Sequence, residues 1–457
     1  MVMDVTTYAA SNGRMEKSMR IRKVIKQVCV TAIILGILFT GLYVTYKLYF
    51  NPYRGTVKTV AKSESLSEVL TKEQAMEDIS FIMSKLKERH PACMEEIPAE
   101  VKAQYDKEIS KFNDDVSILT LWQAASRILS KMKDAHTNVN YYGADTTRLP
   151  LTFVLDAGIL YCSGDSFSNY IVEAINTIPW QDLYHIYLTQ FSYELENYAG
   201  YNFAAKLPYK LYLQFIGVDT SSDIDITFLV DNKEKAAIYS FEMPKAREVI
   251  AKEPFVSYQI DKDNSLGILS LLSCDNNAYY RETLKEFFTE IKKNKIQTVA
   301  VDLRNNGGGN STVANEFIRY LDTDKFYVAG GVEVRYGPWL QKFKKSPTKN
   351  RRIKDLLFTG NVYALTSDVT FSSAKMFANM LSDNHLGKLI GEIPGNMPAS
   401  YGDILYFQTP NAKLLFSVSY KYFGRIDETK ADQPLIPDSE VKSEEAIDKL
   451  YDLIGSK

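Results

Sequence analysis

The pattern of apolar and polar positions divides the chain into stretches of different character. Residues 27–46 are uncharged and mostly apolar, bracketed by Lys26 and Lys47. At 1.5 Å of rise per residue, a helix of that length spans roughly 30 Å, one hydrocarbon core. Residues 47–70 are polar, rich in Ser, Thr and Lys, and aperiodic; they read as a stalk. Over 71–148 the period becomes helical. Thr71 and Gln74 have capping-box spacing, and Met76, Ile79, Ile82, Met83 and Leu86 share one face. Ile118, Leu121, Trp122, Ala125, Ile128, Leu129 and Met132 repeat that face more cleanly. This helix is expected to stop near Lys133, with a turn over 134–137 and a strand in NVNYY.

Residues 149–250 form a β-rich middle region. LPLTFVL, ILYCSG, DIDITFLVD and AAIYSFEM read as strands, and NYIVEAINTIPWQDLYHIYL as strand, turn and helix, with Pro179 near the helix start. A tyrosine-rich helical stretch lies between. From 251 to 457 strands and amphipathic helices alternate: LGILSLL, YYRETLKEFFTEIKK, IQTVAVDL, STVANEFIRYL, NVYALTS, SSAKMFANMLSD, GKLIGE. Such alternation predicts βαβ units around a parallel sheet, hence an α/β fold. DILYFQTP and KLLFSVSYKYF add two closing strands.

Charge gives the apolar run a direction. Arg14, Lys17, Arg20, Arg22, Lys23 and Lys26 precede it, and only Lys47, Arg54 and Lys58 follow nearby. The positive-inside rule predicts a cytoplasmic segment over 1–26, a transmembrane helix over 27–46 and everything beyond outside the membrane. A cleaved signal peptide would need a shorter apolar core and a small-residue cleavage site, whereas LYVTYKLYF is bulky. A buried core helix is the other alternative, one whose flanks are rarely so basic.

At 457 residues, 45 % apolar and 24 % charged, the chain predicts two or three globular domains. A net charge of −2 gives no case for a nucleic-acid partner. Its 4 cysteines are scattered without metal spacing or a disulfide framework, so neither zinc nor any other cofactor is expected.

The candidate chemistry sits in two loops. VAVDLRNNGGG (299–309) and TSDVTFSSAKM (366–376) each follow an apolar strand and each open a helix. Ser372 would stand on a sharp strand-to-helix turn, its hydroxyl held out of the core. A Ser at a helix start is commonly just a cap; what singles this one out is the glycine triplet, whose backbone can approach a reacting carbonyl. Amides near Gly308 and at Ser373 are the expected oxyanion donors. Ser373 is also the competing nucleophile, and Thr370 is expected to be structural. A GxGxxG or GK[ST] continuation is missing, which argues against a phosphate cradle. Among the 4 histidines, His136 lies in a loop and suits a general base. His90, His185 and His385 fall on or at the ends of helices. Lys375 and Lys388 are bases only if buried.

DLRNNGGG, TFSSA, GE and PLIPD, in that order, resemble the tail-specific (carboxyl-terminal processing) serine peptidases, from about residue 70 onward. The resemblance implies a crotonase-like α/β core that cleaves peptide bonds. YIVEAINTIP resembles a segment of the family's PDZ-like peptide-binding modules, which makes 149–250 a PDZ-like insertion. One style in the family pairs serine with a lysine about 25 residues later, near Met397 here, but no lysine stands between Lys388 and Lys413. The tricorn-like style uses a histidine in a D-x-H-T loop, which KDAHTNV resembles, giving His136 the role of base. That style adds an acidic residue near the terminal PD motif, where Glu428 and Asp432 both stand. Lys375 occupies a position where many members have glutamate, and Asn396 one where glycine is common. Asp383 has a weaker claim, to a structural role.

The expectation is therefore a membrane-anchored extracytoplasmic serine endopeptidase acting on protein or peptide substrates. The alternatives are an inactive peptide-binding scaffold of the same fold and, more weakly, a thioester-processing relative, which an extracytoplasmic domain disfavours. Oligomeric state stays open.

Overall fold

The computed structural model describes residues 5–112, 114–143, 145–244 and 254–455. Its organising element is a six-stranded sheet in the order Val256–Asp261, Leu266–Leu271, Thr298–Asp302, Asn361–Thr366, Lys388–Gly391, Ser439–Glu440. The first pair is antiparallel and every later pair parallel. Alternation decides its two faces. Val299 and Val301 pack into one layer with helices Ala278–Lys293, Thr312–Ile318 and Ser373–Asp383, while Ala300, Leu365 and Ile390 pack against helix Ala446–Gly455. A parallel sheet covered on both sides is what its near-continuous apolar strands require.

A second sheet is antiparallel, in the order Trp339–Lys344, Gly331–Tyr336, Leu415–Gly424, Ser400–Gln408, with the short strand Val139–Asn140 paired to Leu415–Gly424. The middle region carries a third, also antiparallel, of strands Thr152–Asp156, Ile159–Gly164, Phe167–Ile175, Ile224–Val230 and Lys233–Tyr239, with Ile178–Pro179 paired to the edge of Phe167–Ile175. Helices Trp180–Gln190, Glu196–Lys206 and Lys210–Phe215 interrupt it. The capping box forms as read: Thr71 Oγ1 accepts the Gln74 amide at the start of helix Lys72–Arg89. Helix Ile118–Ser130 ends just before Lys133, which takes a φ of 50°.

Three features of the structure add to the sequence-based outline. The N-terminal helices, the middle sheet and the strands around Leu405–Tyr420 share one continuous core, which runs across 71–148 and 149–250. Residues 51–68 lie along the body instead of standing free: the Val57 amide bonds the Tyr406 carbonyl, the Ser63 amide bonds the Tyr142 carbonyl, and Pro52 and Ser63 are buried. The apolar run is longer than expected, within a helix Val5–Thr45 that continues as a wider turn over Tyr46–Phe50; its apolar part covers Arg22–Phe50.

Candidate active site

Strands Thr298–Asp302 and Asn361–Thr366 are neighbours, with Asp302 opposite Leu365. Their C-terminal ends therefore discharge the glycine loop and the serine loop side by side, at the sheet edge where open α/β proteins bind ligands. Cross-bonds join the loops: Thr370 Oγ1 donates to the Leu303 carbonyl at 2.9 Å, Ser367 Oγ donates to the Arg304 carbonyl, and the Phe371 amide bonds the Asn306 carbonyl at 3.1 Å. Thr370 is thus held in a supporting role.

Ser372 precedes helix Ser373–Asp383 with φ 53° and ψ −121°, outside the ordinary regions for an L-residue. Its hydroxyl makes no capping bond to the helix. Instead Ser372 Oγ lies 3.0 Å from His136 Nε2. A strained backbone and an uncapped hydroxyl both argue against a mere helix cap. The Ser372 amide donates to Asn396 Oδ1 at 2.9 Å, so the asparagine at 396 pins the turn. Ser373 turns the other way, its Oγ donating to the Gly309 carbonyl at 2.7 Å.

His136 comes from far upstream and is held by the second sheet. Ser417 Oγ donates to the His136 carbonyl at 2.7 Å, and the Ser419 amide donates to Thr137 Oγ1 at 3.1 Å. The ring packs on Phe371, which stacks in turn on Tyr198 of the middle region at 4.3 Å. Burial pushes the imidazole pKa below its usual 6.5; Asp134 and Asp403 oppose this and Lys375 adds to it. A neutral imidazole facing a serine hydroxyl is the state a general base requires.

The oxyanion donors differ from expectation at one position. The Gly308 amide is already given to Asn306 Oδ1 at 2.8 Å. Gly308 contributes space instead: at φ 107°, a Cβ there would lie 2.7 Å from Ser372 Cβ and 3.0 Å from the Ser373 amide nitrogen. The Ser373 amide, at the positive end of its helix, has no acceptor among the described residues and borders that space.

Neither expected acidic residue reaches the histidine. Glu428 and Asp432 are exposed, and Glu428 lies 4.0 Å from Lys345. They follow strand Leu415–Gly424 out of the second sheet, on a segment tied down elsewhere by a buried Arg425–Asp383 pair. Asp383 is accordingly structural. The carboxylates facing the base are two others. Asp134 is fully buried, its Oδ1 3.7 Å from His136 Nδ1. That oxygen accepts the His136 amide at 2.9 Å, and Oδ2 accepts from Thr137 Oγ1 and pairs with His90 Nε2 at 3.2 Å. Burial alone would raise the Asp134 carboxyl; His90, His136 and Thr137 reverse that and hold it at about 2. Glu194, from the segment between helices Trp180–Gln190 and Glu196–Lys206, is the second. Asp134 stands inside KDAHTNV and was legible there as a polar turn residue; Glu194 lies in a stretch with no motif to mark it.

Neither lysine is bonded to Ser372 Oγ among the described residues. Lys388 is exposed. Lys375 is buried, and burial lowers its pKa, but Nζ donates to the Pro398 carbonyl and to Ser400 Oγ, both at 3.1 Å. His185 and His385 are exposed on helix surfaces or ends, and buried His90 is bonded to Asp134 and to the Ala92 amide.

One atom each from Asp134, His136 and Glu194 lie within 4.8 Å of one another. Metal ligands about 2.0–2.2 Å from an ion sit roughly 3.5 Å apart. Here both Asp134 oxygens are engaged and the Lys375 ammonium faces Glu194, so this donor set does not suit a cation.

Comparison with known proteins bears on the fold and the family. Residues 265–429 match the family model described as peptidase family S41. No curated protein matches the chain. Among solved structures, mature CPAF aligns at a TM-score of 0.62 and 12 % identity, over 84 % of this chain and 96 % of that one. Mature CPAF complexed with lactacystin aligns at 0.61 and 12 % identity, over 84 % and 97 %. A photosystem II D1 C-terminal processing protease aligns at 0.47 and 12 % identity, over 85 % and 98 %. At such identities the likeness to CPAF is one of fold.

Proposed function

Residues 265–429 belong to peptidase family S41, whose members are serine-type peptidases, and on that premise we propose that the chain hydrolyses peptide bonds through an acyl-enzyme on Ser372, with His136 as base. The observation that carries this reading is the 3.0 Å approach of Ser372 Oγ to His136 Nε2 across 236 residues of sequence. As Ser372 Oγ bonds to the scissile carbonyl carbon, its proton passes to Nε2. The tetrahedral oxyanion forms beside Gly308 and accepts from the Ser373 amide. Nε2–H then protonates the leaving amine, and water releases the acyl group by the reverse sequence.

The parallel sheet with its two helical layers supports a crotonase-like core for 251–457, and the antiparallel sheet with the strand–turn–helix of 167–190 supports a PDZ-like role for the middle region. The apolar helix and its basic N-terminal flank support a single membrane span, with the N-terminus cytoplasmic and the catalytic part outside. Protein or peptide substrates follow from the family.

A fluorophosphonate probe on the full-length protein tests the reading. The wild type labels, Ser372→Ala does not, and His136→Ala slows turnover by about 10³–10⁶-fold. Because the neutral imidazole is the active form, kcat/KM falls as pH drops through a pKa below 6.5. Labelling that persists in Ser372→Ala moves the nucleophile elsewhere; an unlabelled wild type that still binds peptide is the inactive scaffold.

A further inference from the structure

The unexplained feature of the site is a pair of buried atoms without partners. His136 Nδ1, the ring nitrogen facing away from Ser372, has no hydrogen-bond partner, and neither has Glu194 Oε1. A buried polar atom left unpaired costs on the order of 1–3 kcal/mol, so two of them on neighbouring residues call for an explanation. They belong to residues whose ligating atoms lie within 4.8 Å of each other. That gap closes by a small shift or by one bridging water, and an open cavity of about 510 Å³ reaches Glu194.

Glu194 is also built into place. Its Oε2 accepts the Met397 amide at 2.9 Å. Two residues earlier, Ser192 Oγ donates to the Asp134 carbonyl at 2.8 Å and accepts the Asp134 amide at 3.2 Å, which locks the segment to the histidine loop. Lys375 supplies the opposing charge. Asp134 is the nearer carboxylate, with Oδ1 3.7 Å from Nδ1, but its oxygens already serve the His136 amide, His90 and Thr137.

We propose that Glu194, carried by the middle region, is the carboxylate that positions His136, accepting the imidazole Nδ1–H directly or through one water. This rests on the Ser372–His136 reading above. The proton leaving Ser372 goes to Nε2; the Nδ1 proton stays on the ring, and Glu194 shares the imidazolium charge without taking it. Burial pushes the Glu194 carboxyl up, and the Asp134 charge adds to that, while Lys375 and the Met397 and Ala135 amides oppose it. Lys375 is the charged side chain that opposes this rise, with Tyr198 and Tyr422 the other titratable side chains facing Glu194. Arg425 lies on the far side of Lys375, and Asp403 faces His136. The middle region thus becomes part of the catalytic unit, not an appendage to it.

Glu194→Gln keeps shape and the Met397 contact while removing the acceptor charge. Full-length protein is expected to lose about 10²–10⁴-fold in kcat with KM unchanged. Removing a carboxylate beside the imidazolium also moves the acid limb of kcat/KM to lower pH, a change that loss of packing alone does not produce. Glu194→Asp recovers part of the rate, and Lys375→Met moves the Glu194 titration up and slows turnover. Wild-type kcat and an unmoved acid limb in Glu194→Gln overturn the proposal, and if Asp134→Asn shows both changes instead, Asp134 is the positioning residue. Full activity in His136→Ala removes the parent reading and this proposal with it. A melting temperature within a few degrees of wild type qualifies each variant.

Discussion

Ser372 combines two properties that a neutral helix start does not need: a left-handed φ and an outward hydroxyl bonded to an imidazole. Backbone strain of this kind costs on the order of 1–3 kcal/mol and persists where surrounding structure enforces it. Here the Asn396 side chain, the Asn306 carbonyl on Phe371 and the contact with Gly308 do so. Two substitutions separate the strain from the chemistry. Ser372→Ala and Ser372→Gly both lose the hydroxyl and the bond to His136, so both are inactive. Only Gly also relieves the conformation, and it should unfold about 1 kcal/mol later than Ala in urea. An Ala variant as stable as Gly would mean the turn is not strained. At this scale the approach of Ser372 to His136 was legible because each sits in a short motif with a chemical reason for its composition. The acid was not. Glu428 and Asp432 were placed by analogy with a linear motif, whereas what selects a carboxylate is which one the packed core turns toward Nδ1. That selection involves Asp134, two residues from the base, and Glu194, 58 residues from it, and sequence distance carries no information about the second.

Strand register converts two loops about 60 residues apart into neighbours, and the element pattern that does this was readable in advance. VAV in 299–301 distributes its side chains to both faces of one sheet, and so forms a central strand. The hairpin of Gly331–Tyr336 and Trp339–Lys344 was not readable. Its outer strand mixes Trp339, Phe343 and Leu340 with Lys342 and Lys344, the mark of a sheet edge, where no second sheet enforces alternation. Helix Ala446–Gly455 lies outside the readable alternation of strands and helices, although it covers the second face of the core sheet. Holding the serine helix in register falls to a different kind of contact. Asp383 at its end pairs with Arg425 at 3.1 Å, both almost fully buried, and Arg425 also donates to the carbonyls of Lys430, Gln433 and Pro434. Asp383→Ala leaves a buried guanidinium without its counter-charge and should destabilise by about 3–5 kcal/mol in urea unfolding. Arg352→Ala, which removes an exposed pairing with Asp322 and Asp324, should cost under about 1 kcal/mol per pair. Equal losses in the two variants would refute the assignment of Asp383 to the frame of the serine helix.

The whole molecule poses a question of orientation that the catalytic residues do not. The apolar helix ends at Tyr46–Phe50, and the turn of the Gly331–Lys344 hairpin meets that end: a side chain at Gly337, which has a φ of 57°, would run into the Tyr49 carbonyl. Arg335 donates to the Gly337 carbonyl, fixing the turn, and Arg54 donates to the Leu48 carbonyl from the other side. If Arg22–Phe50 spans a bilayer, as proposed, the hairpin lies at its surface. The residues there have the composition of that boundary, exposed tyrosines at 43, 46 and 49, Lys47, and Trp339 one position past the turn. Trp339 is 58 % exposed, while Trp122 and Trp180 are 1 % and 5 % exposed, so one indole of three can report the contact. In vesicles with brominated acyl chains, full-length protein should lose the Trp339 share of its emission, and Trp339→Phe should abolish the quenching. Aqueous iodide should quench the same indole weakly. Strong iodide quenching with indifference to bromine would place the hairpin in water, and the helix end would then set no fixed height for Ser372 above the membrane.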